Sequence, residues 1–493
     1  METRHTNPSQ SNLPDTPPAP PSINLITMFR LGLFQMGLGT MSILTLGVLN
    51  RVMIDELKVP ALLAAGAIAM HQFVAPARLW FGQMSDARPV LGTHRTGYIW
   101  VGTVLFTIAA FLAVQVIWQI NTSVVTAGWT LPTYGWIVVL GLVFAGYGLA
   151  LSFGSTPFAA LLVDISDEHE RSKLVGVVWS MLMVGIVVGA ILSSTILDRP
   201  EVCGADILTY DPTQTARAID LTGLQQALNR LFLIVPAVVI GLSIVGTVGI
   251  EQKYSRYQSR STVADREDNV TLKRAWKVLT ANRQTGVFFS FLLIMTMGLF
   301  MQEAVLEPYG GEVFGMTIAE TTQLNAFWGM GTLVGLGATG FLVVPRIGKL
   351  RTTRLGCCLA SGCFGLMILA GFSQNPQFLQ FALLLFGVAA GITTSGALSL
   401  MLDFTAAETA GTFIGAWGLS QALARASATV SGGAVLDLGR AVFPSAFGAY
   451  ALVFALQAGF MLLAVQFLSR VNVKEFKENA NTAIANILAS DLD

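Results

Sequence analysis

Histidine and cysteine are scarce in this chain, and their scarcity removes whole classes of chemistry. The histidines are His5, His94 and His169 in polar segments and His71 inside an apolar run. No Ser/His/Asp set and no paired-carboxylate set accompanies them, and no glycine-rich loop ends in a phosphate-cradling lysine. The sequence therefore offers neither a hydrolase nor an ATP-driven pump. Of the four cysteines, Cys203 has no partner outside the apolar runs, while Cys357, Cys358 and Cys363 share one run; none has the spacing of a zinc site or redox pair. Charge is scarce too. Only 12% of the 493 residues are charged, and 29 basic against 29 acidic residues leave no net charge, so bulk charge indicates no nucleic-acid partner.

Apolar residues are abundant instead, at 53% with a mean hydropathy of +0.63. A membrane span needs about 20 apolar residues, and such runs recur often enough here for about twelve. The expected fold class is therefore an all-α membrane protein. Residues 1–22 are rich in Pro, Ser, Asn and Thr without the apolar core of a signal peptide, and read as a disordered cytoplasmic tail. Residues 23–250 hold six spans: 24–49, a polar turn over 50–59, a second span from Pro60 to Gly82, then 96–118, a polar loop to Tyr134, a fourth span to Val163, a charged loop over 164–173, and the fifth and sixth spans ending near 197 and 250. Residues 251–285 form a basic linker, 286–470 hold six more spans, and 471–493 form an amphipathic tail. Lys and Arg gather on the side that holds both termini, which the positive-inside rule places in the cytoplasm.

The two halves repeat. A shift of 239 lays Gly148 on Gly387, Leu161 on Leu400, Asp164 on Asp403 and Gly176 on Gly415; a shift of 258 lays Gly82 on Gly340 and Arg88 on Arg346. The difference of shifts is expected to sit in a longer loop after the third span. Parallel six-span repeats joined by a basic linker match the architecture of major facilitator bundles.

Ionisable residues at membrane depth are costly, so their default reading is functional. Arg425 with Gln421 falls in the middle of the eleventh span, His71 with Gln72 in the middle of the second, and Glu303 toward the outer end of the seventh. Counted at 1.5 Å per residue, His71 lies roughly 16 Å and Arg425 roughly 21 Å inside its span. Both are expected to point into the protein near the seam between the halves. The plainer readings are a carboxylate partner for Arg425 and a backbone carbonyl for His71. Glu307, just before Pro308, is expected to sit in water.

Residues 80–100 read as a hinge in which a polar loop carries Gly82, Asp86, Arg88, Gly92 and Arg95. The Gly82-x-x-x-Asp86 spacing resembles the loop between the second and third helices of the major facilitator superfamily. That resemblance implies a conformational loop whose Asp86 meets the start of the eleventh span near residues 410–412, where a carboxylate suits the helix N-terminus. Val344 stands where Asp86 would fall in the second half.

More specific blocks follow: RLGLFQMGLGT from Arg30, LNRVMIDEL from Leu49, SDARPVLGTHRTGYIW from Ser85, LEPYGGEVFGM from Leu306 and ETTQLNAFWGMGTLVG from Glu320. On these the chain resembles the PucC-type, or bacteriochlorophyll delivery, branch of the major facilitator superfamily, and its closing NILASDLD resembles cyanobacterial members. The resemblance implies a twelve-helix bundle in a photosynthetic membrane (thylakoid, cytoplasmic or intracytoplasmic). It implies an assembly factor for chlorophyll- or bacteriochlorophyll-binding complexes, in contact with lipid and with nascent pigment-binding apoproteins or photosystem subunits. On that reading chlorophyll or bacteriochlorophyll is carried rather than used in catalysis. His71 would be a ligand for the chlorin magnesium, and Gln72, Glu303, Gln421 and Arg425 would be candidate pigment or substrate contacts. The alternative is an ion-coupled transporter of a small solute.

Overall fold

The structure, a computed structural model, describes residues 23–166, 168–197, 221–255, 283–403 and 410–471. The two tails, Cys203 and most of the expected linker lie outside them. The first span is Leu25–Glu56, the second is split into Ala61–Phe73 and Ala77–Ala87, and the third and fourth are Thr96–Ala127 and Leu131–Ile165. The fifth and sixth are Glu168–Leu197 and Leu221–Thr247. The seventh is Arg283–Phe300, continued by a 3-10 turn (Met301–Ala304) and a short helix (Leu306–Phe314). The eighth to twelfth are Ile318–Ala338, Lys349–Ser373, Pro376–Asp403, Ala410–Val442 and Ala446–Ser469.

The repeat is visible in the packing. In the first half the first span packs on the fifth and sixth, the fourth on the second and third, and the third on the sixth; the second half shows the same pairs with six added to each ordinal. Between the halves the second span packs on the eleventh and the fifth on the eighth, a pairing that the same exchange maps onto itself. The protein is thus a multi-pass, all-α bundle of two six-helix halves. Among the described residues nine helices are long and apolar enough to cross a membrane. The three spans missing from that set are the second, eighth and eleventh. The second is missing because its break leaves an apolar helix of only 13 residues, Ala61–Phe73; all three stand at the seam.

Close approach carries the repeat down to single glycines. A Cβ on Gly148 would strike the backbone carbonyl of His71, and one on Gly387 would strike that of Trp328. The fourth span therefore meets the second as the tenth meets the eighth.

Several expectations are corrected. The segment 50–59 is not a polar turn outside: the first span runs on through two π-helical stretches, Ile43–Val48 and Val52–Glu56, because Val52, Met53 and Ile54 keep an apolar face that is fully buried. Third and fourth spans meet through Gly128–Thr130 alone, so no long loop follows the third. Their 32 and 35 residues against 25 and 28 in the ninth and tenth place most of the shift difference in longer helices. The charged segment after Asp164 is almost all helix, since the fifth span begins at Glu168. Gly82 and Asp86 are not in a loop; both lie in the helix Ala77–Ala87.

Proline sets both breaks. Pro76 has no N–H for the carbonyl of Gln72, which accepts from Ala75 at 3.0 Å instead, and the chain tightens for one turn before the helix resumes. Pro308 likewise leaves the carbonyl of Ala304 without its helical donor. That carbonyl accepts Asn50 Nδ2 at 2.7 Å from the other half.

Candidate binding site at the seam between the halves

With the side that holds both described termini called the near end, the seam has a polar joint at its far end and a polar cluster at mid-depth. At the far end Asn50 reaches Ala304, and Arg51 donates to the carbonyl of Met316 at 3.3 Å. Asp437 of the eleventh span takes the backbone N–H groups of Ala61 (3.0 Å) and Leu62 (2.8 Å), the first turn of the second span. A carboxylate on a helix N-terminus is favoured by the partial positive charge there. Arg51, whose side chain is only 4% exposed, pairs with Asp55 and Glu56.

The mid-depth cluster brings together His71 and Arg78 from the second span, Glu303 from the break in the seventh, and Arg425 from the eleventh. Arg425 donates from Nε to Glu303 at 3.0 Å and from Nη2 to the other carboxylate oxygen, a two-point pairing. Its guanidinium also lies 4.4 Å from the ring centroid of Phe300, a cation-π distance. The charges of Arg78 and Arg425 both act on the His71 ring. His71 Nδ1 stands 2.6 Å from the carbonyl of Ile68. A carbonyl only accepts, so Nδ1 carries the proton and Nε2 keeps its lone pair. The ring meets Tyr147 edge-on at 6.1 Å between centroids, and Tyr147 in turn meets Phe106 and Phe144. Arg425 thus has the carboxylate partner and His71 the backbone carbonyl of the plainer readings.

Gln72 is buried with Oε1 lacking a hydrogen-bond partner. Gln421 stands one turn before Arg425 on the same helix face. Glu307 is corrected: it is 3% exposed, not in water, because the break at Pro308 folds it back into the joint.

The expected conformational loop is held by contacts within the first half. The Asp86 side chain and those at 410–412 lie outside the described residues, so their contact does too. Arg88 offers its carbonyl to the Tyr98 hydroxyl at 2.8 Å. Gly92, at φ +76°, closes a tight turn in which Val90 and Thr93 exchange backbone hydrogen bonds, a conformation that suits glycine. Arg95, 2% exposed, donates to Asp164 at 2.8 Å and Ser85 at 2.6 Å. Glu251 accepts the N–H groups of His94, Arg95 and Thr96 at 2.6–3.1 Å. Glu251 thus caps the start of the third span in its own half. It places 251–255 with the first half rather than with the linker.

Sequence reasoning missed Arg78, Arg51, Glu251 and Asp437. Arg78 stands two turns after His71, a spacing that marks one helix face, but the intervening Pro76 hides it.

The sequence model of a family described as "PUCC protein" matches residues 48–476. A protein named "Protein PucC" from Rhodobacter capsulatus is 28% identical over 467 residues, covering 92% of this chain and 94% of that protein. Another, named "Bacteriochlorophyll synthase 44.5 kDa chain", from a strain of the same species, is 29% identical over 463 residues, covering 91% and 96%. Among solved structures, a bacterial homolog of the human lysosomal transporter Spinster, in an inward-facing and unoccupied conformation, matches with a TM-score of 0.65 at 13% identity, covering 92% of this chain and 98% of that one. This last likeness shows the fold, that of major facilitator transporters.

Proposed function

The chain belongs to the PUCC protein family, and on that premise we propose that it is an integral membrane assembly factor for chlorophyll- or bacteriochlorophyll-binding photosynthetic complexes. It delivers pigment to light-harvesting or photosystem subunits rather than making it. The observation that carries the reading is the family match across both halves, 48–476, joined to a polar cluster placed where the halves meet. The names of the relatives supply the pigment.

In this reading the Nε2 lone pair of His71 would hold the magnesium of a chlorin, as neutral imidazoles do for metals. Arg425, braced by Glu303 and Phe300, and Arg78, held by Ser152 at 3.4 Å, would donate to oxygen substituents of the pigment. Gln72 and Gln421 add amides at the same level. Holding groups of this kind suit a carrier. The membrane is the photosynthetic one, with both termini cytoplasmic, as the distribution of Lys and Arg supports. A cysteine introduced at Ser255, at the near end, is labelled only from the cytoplasmic side if this orientation holds, and only from outside if it is reversed.

The fold also supports ion-coupled transport of a small solute, and deletion separates the two. On the assembly reading, loss of the protein lowers the amount of pigment-protein complex and no added solute restores growth. A growth defect cured by one external solute, with pigment complexes unchanged, overturns it.

A further inference from the structure

Glu307 lies in the first turn of the far-end helix Leu306–Phe314, inside the joint between the halves. Its Oε1 accepts from Asn325 Nδ2 of the eighth span, and its carboxylate rests against Gly47 of the first span, where any Cβ would strike it. Its Oε2 is buried and has no hydrogen-bond partner.

The other carboxylates of this joint are each paired. Asp55 and Glu56 share Arg51; Lys58 adds to Asp55 and Glu312. Glu312 also holds Arg440 (2.7 Å) and accepts from the Tyr450 hydroxyl (3.0 Å). Asp437 lies 3.8 Å from Arg440 and on two backbone N–H groups. Glu303, on the neighbouring turn, is engaged by Arg425. Tyr309, on the same helix as Glu307, donates to the carbonyl of Met367 at 2.8 Å. Arg51 acts on Glu307 through space but beyond ion-pair distance: its Nη1 pairs with Asp55 and its Nη2 with Glu56 and the Met316 carbonyl, while its buried Nε has no hydrogen-bond partner. Among the described residues, Glu307 alone in the joint has no cation within ion-pair distance.

A buried carboxylate with one amide for company is costly as an anion, and far less so as a neutral acid. We propose that Glu307 binds a proton when the far end is closed and releases it when the halves part there, so that proton binding is coupled to the movement of the halves. The coupling is independent of the cargo and holds for pigment or solute alike. A proton fits better than a metal ion, because no group of three His, Cys, Asp or Glu side chains converges to hold one among the described residues. Linkage makes the effect reciprocal: closure raises the proton affinity of Glu307 by the factor by which the proton favours closure, typically about 5–150-fold for coupled sites.

The sign follows. Acid favours the closed far end; alkali puts an unpaired charge in the joint and favours opening. The test uses the full-length protein in lipid nanodiscs, spin-labelled at Leu131→Cys and Val442→Cys, two exposed far-end positions in opposite halves, with the native cysteines replaced. Raising pH is expected to shift the distance distribution toward longer separations, and Glu307→Gln to hold it short at every pH. In the infrared spectrum of the unlabelled protein, a protonated-carboxyl C=O band is expected that Glu307→Gln removes. A pH response that survives in Glu307→Gln, a distribution that follows sodium at fixed pH and not pH itself, or an infrared band unchanged by Glu307→Gln would each overturn the proposal.

Discussion

Arg425 and Glu303 form a two-point ion pair across the break in the seventh span, with Arg425 Nε donating to one carboxylate oxygen and Nη2 to the other. The eleventh span is thereby tied to the 3-10 turn that Pro308 follows, and the joint fixes the level at which a guanidinium faces His71. A pair of this kind is costly to break from one side, since the remaining charge keeps its desolvation without its partner.

Arg425→Leu is therefore expected to destabilise the detergent-solubilised protein by about 1.5–3 kcal/mol, the range for hydrogen bonds to charged groups, with Glu303→Leu similar. The double substitution is expected to lose less than the sum, because neither charge is left behind. Thermal unfolding of the three variants measures this. Strict additivity would show that the pair contributes nothing.

Glu251 gathers three backbone N–H groups at the start of the third span. Glu251→Gln keeps the shape and removes the charge, so a loss of about 0.3–2 kcal/mol is expected from the helix-terminus interaction. Glu251→Ala, which strips the acceptors too, is expected to lose more. Equal unfolding temperatures for both variants and the parent would remove Glu251 from the account of the loop.

How much of this was legible beforehand depends on the kind of interaction. Twelve spans, the two halves and the depth of His71 and Arg425 follow from hydropathy and helix rise, which are local properties. The carboxylate partner of Arg425 is 122 residues away, and only folding brings it near. A charged residue within a short polar stretch reads as exposed, so Glu307 is expected in water and 50–59 as a turn; the π-helical run and the proline break that bury Arg51 and Glu307 have no periodic signal. The Gly82-x-x-x-Asp86 spacing points to this loop, but Arg95, Asp164 and Glu251, which hold it together, have no pattern in their sequence spacing.

Close approach of helices makes another expectation. Gly148→Ala would put a methyl group on the backbone of His71, and Gly387→Ala would do the same to Trp328. Each is expected to cost about 1–3 kcal/mol, as overpacking does. Gly241→Ala, where a Cβ meets nothing within 4 Å, is expected to be neutral or mildly stabilising because alanine favours helix. Unfolding temperatures that fall equally for all three would contradict the packing of the fourth span on the second.

The pigment-holding role proposed for His71 and Arg425 at the seam is tested most directly by spectroscopy. The direct measurement is the absorption spectrum of the gently purified full-length protein from a pigment-synthesising host, compared with His71→Phe and Arg425→Leu. Chlorin bands are expected in the parent protein, with a fall of at least about 10–100-fold in bound pigment for His71→Phe, the scale for losing even an outer partner of a metal ligand, and a smaller fall for Arg425→Leu. A colourless parent protein, or full pigment in both variants, would contradict that role.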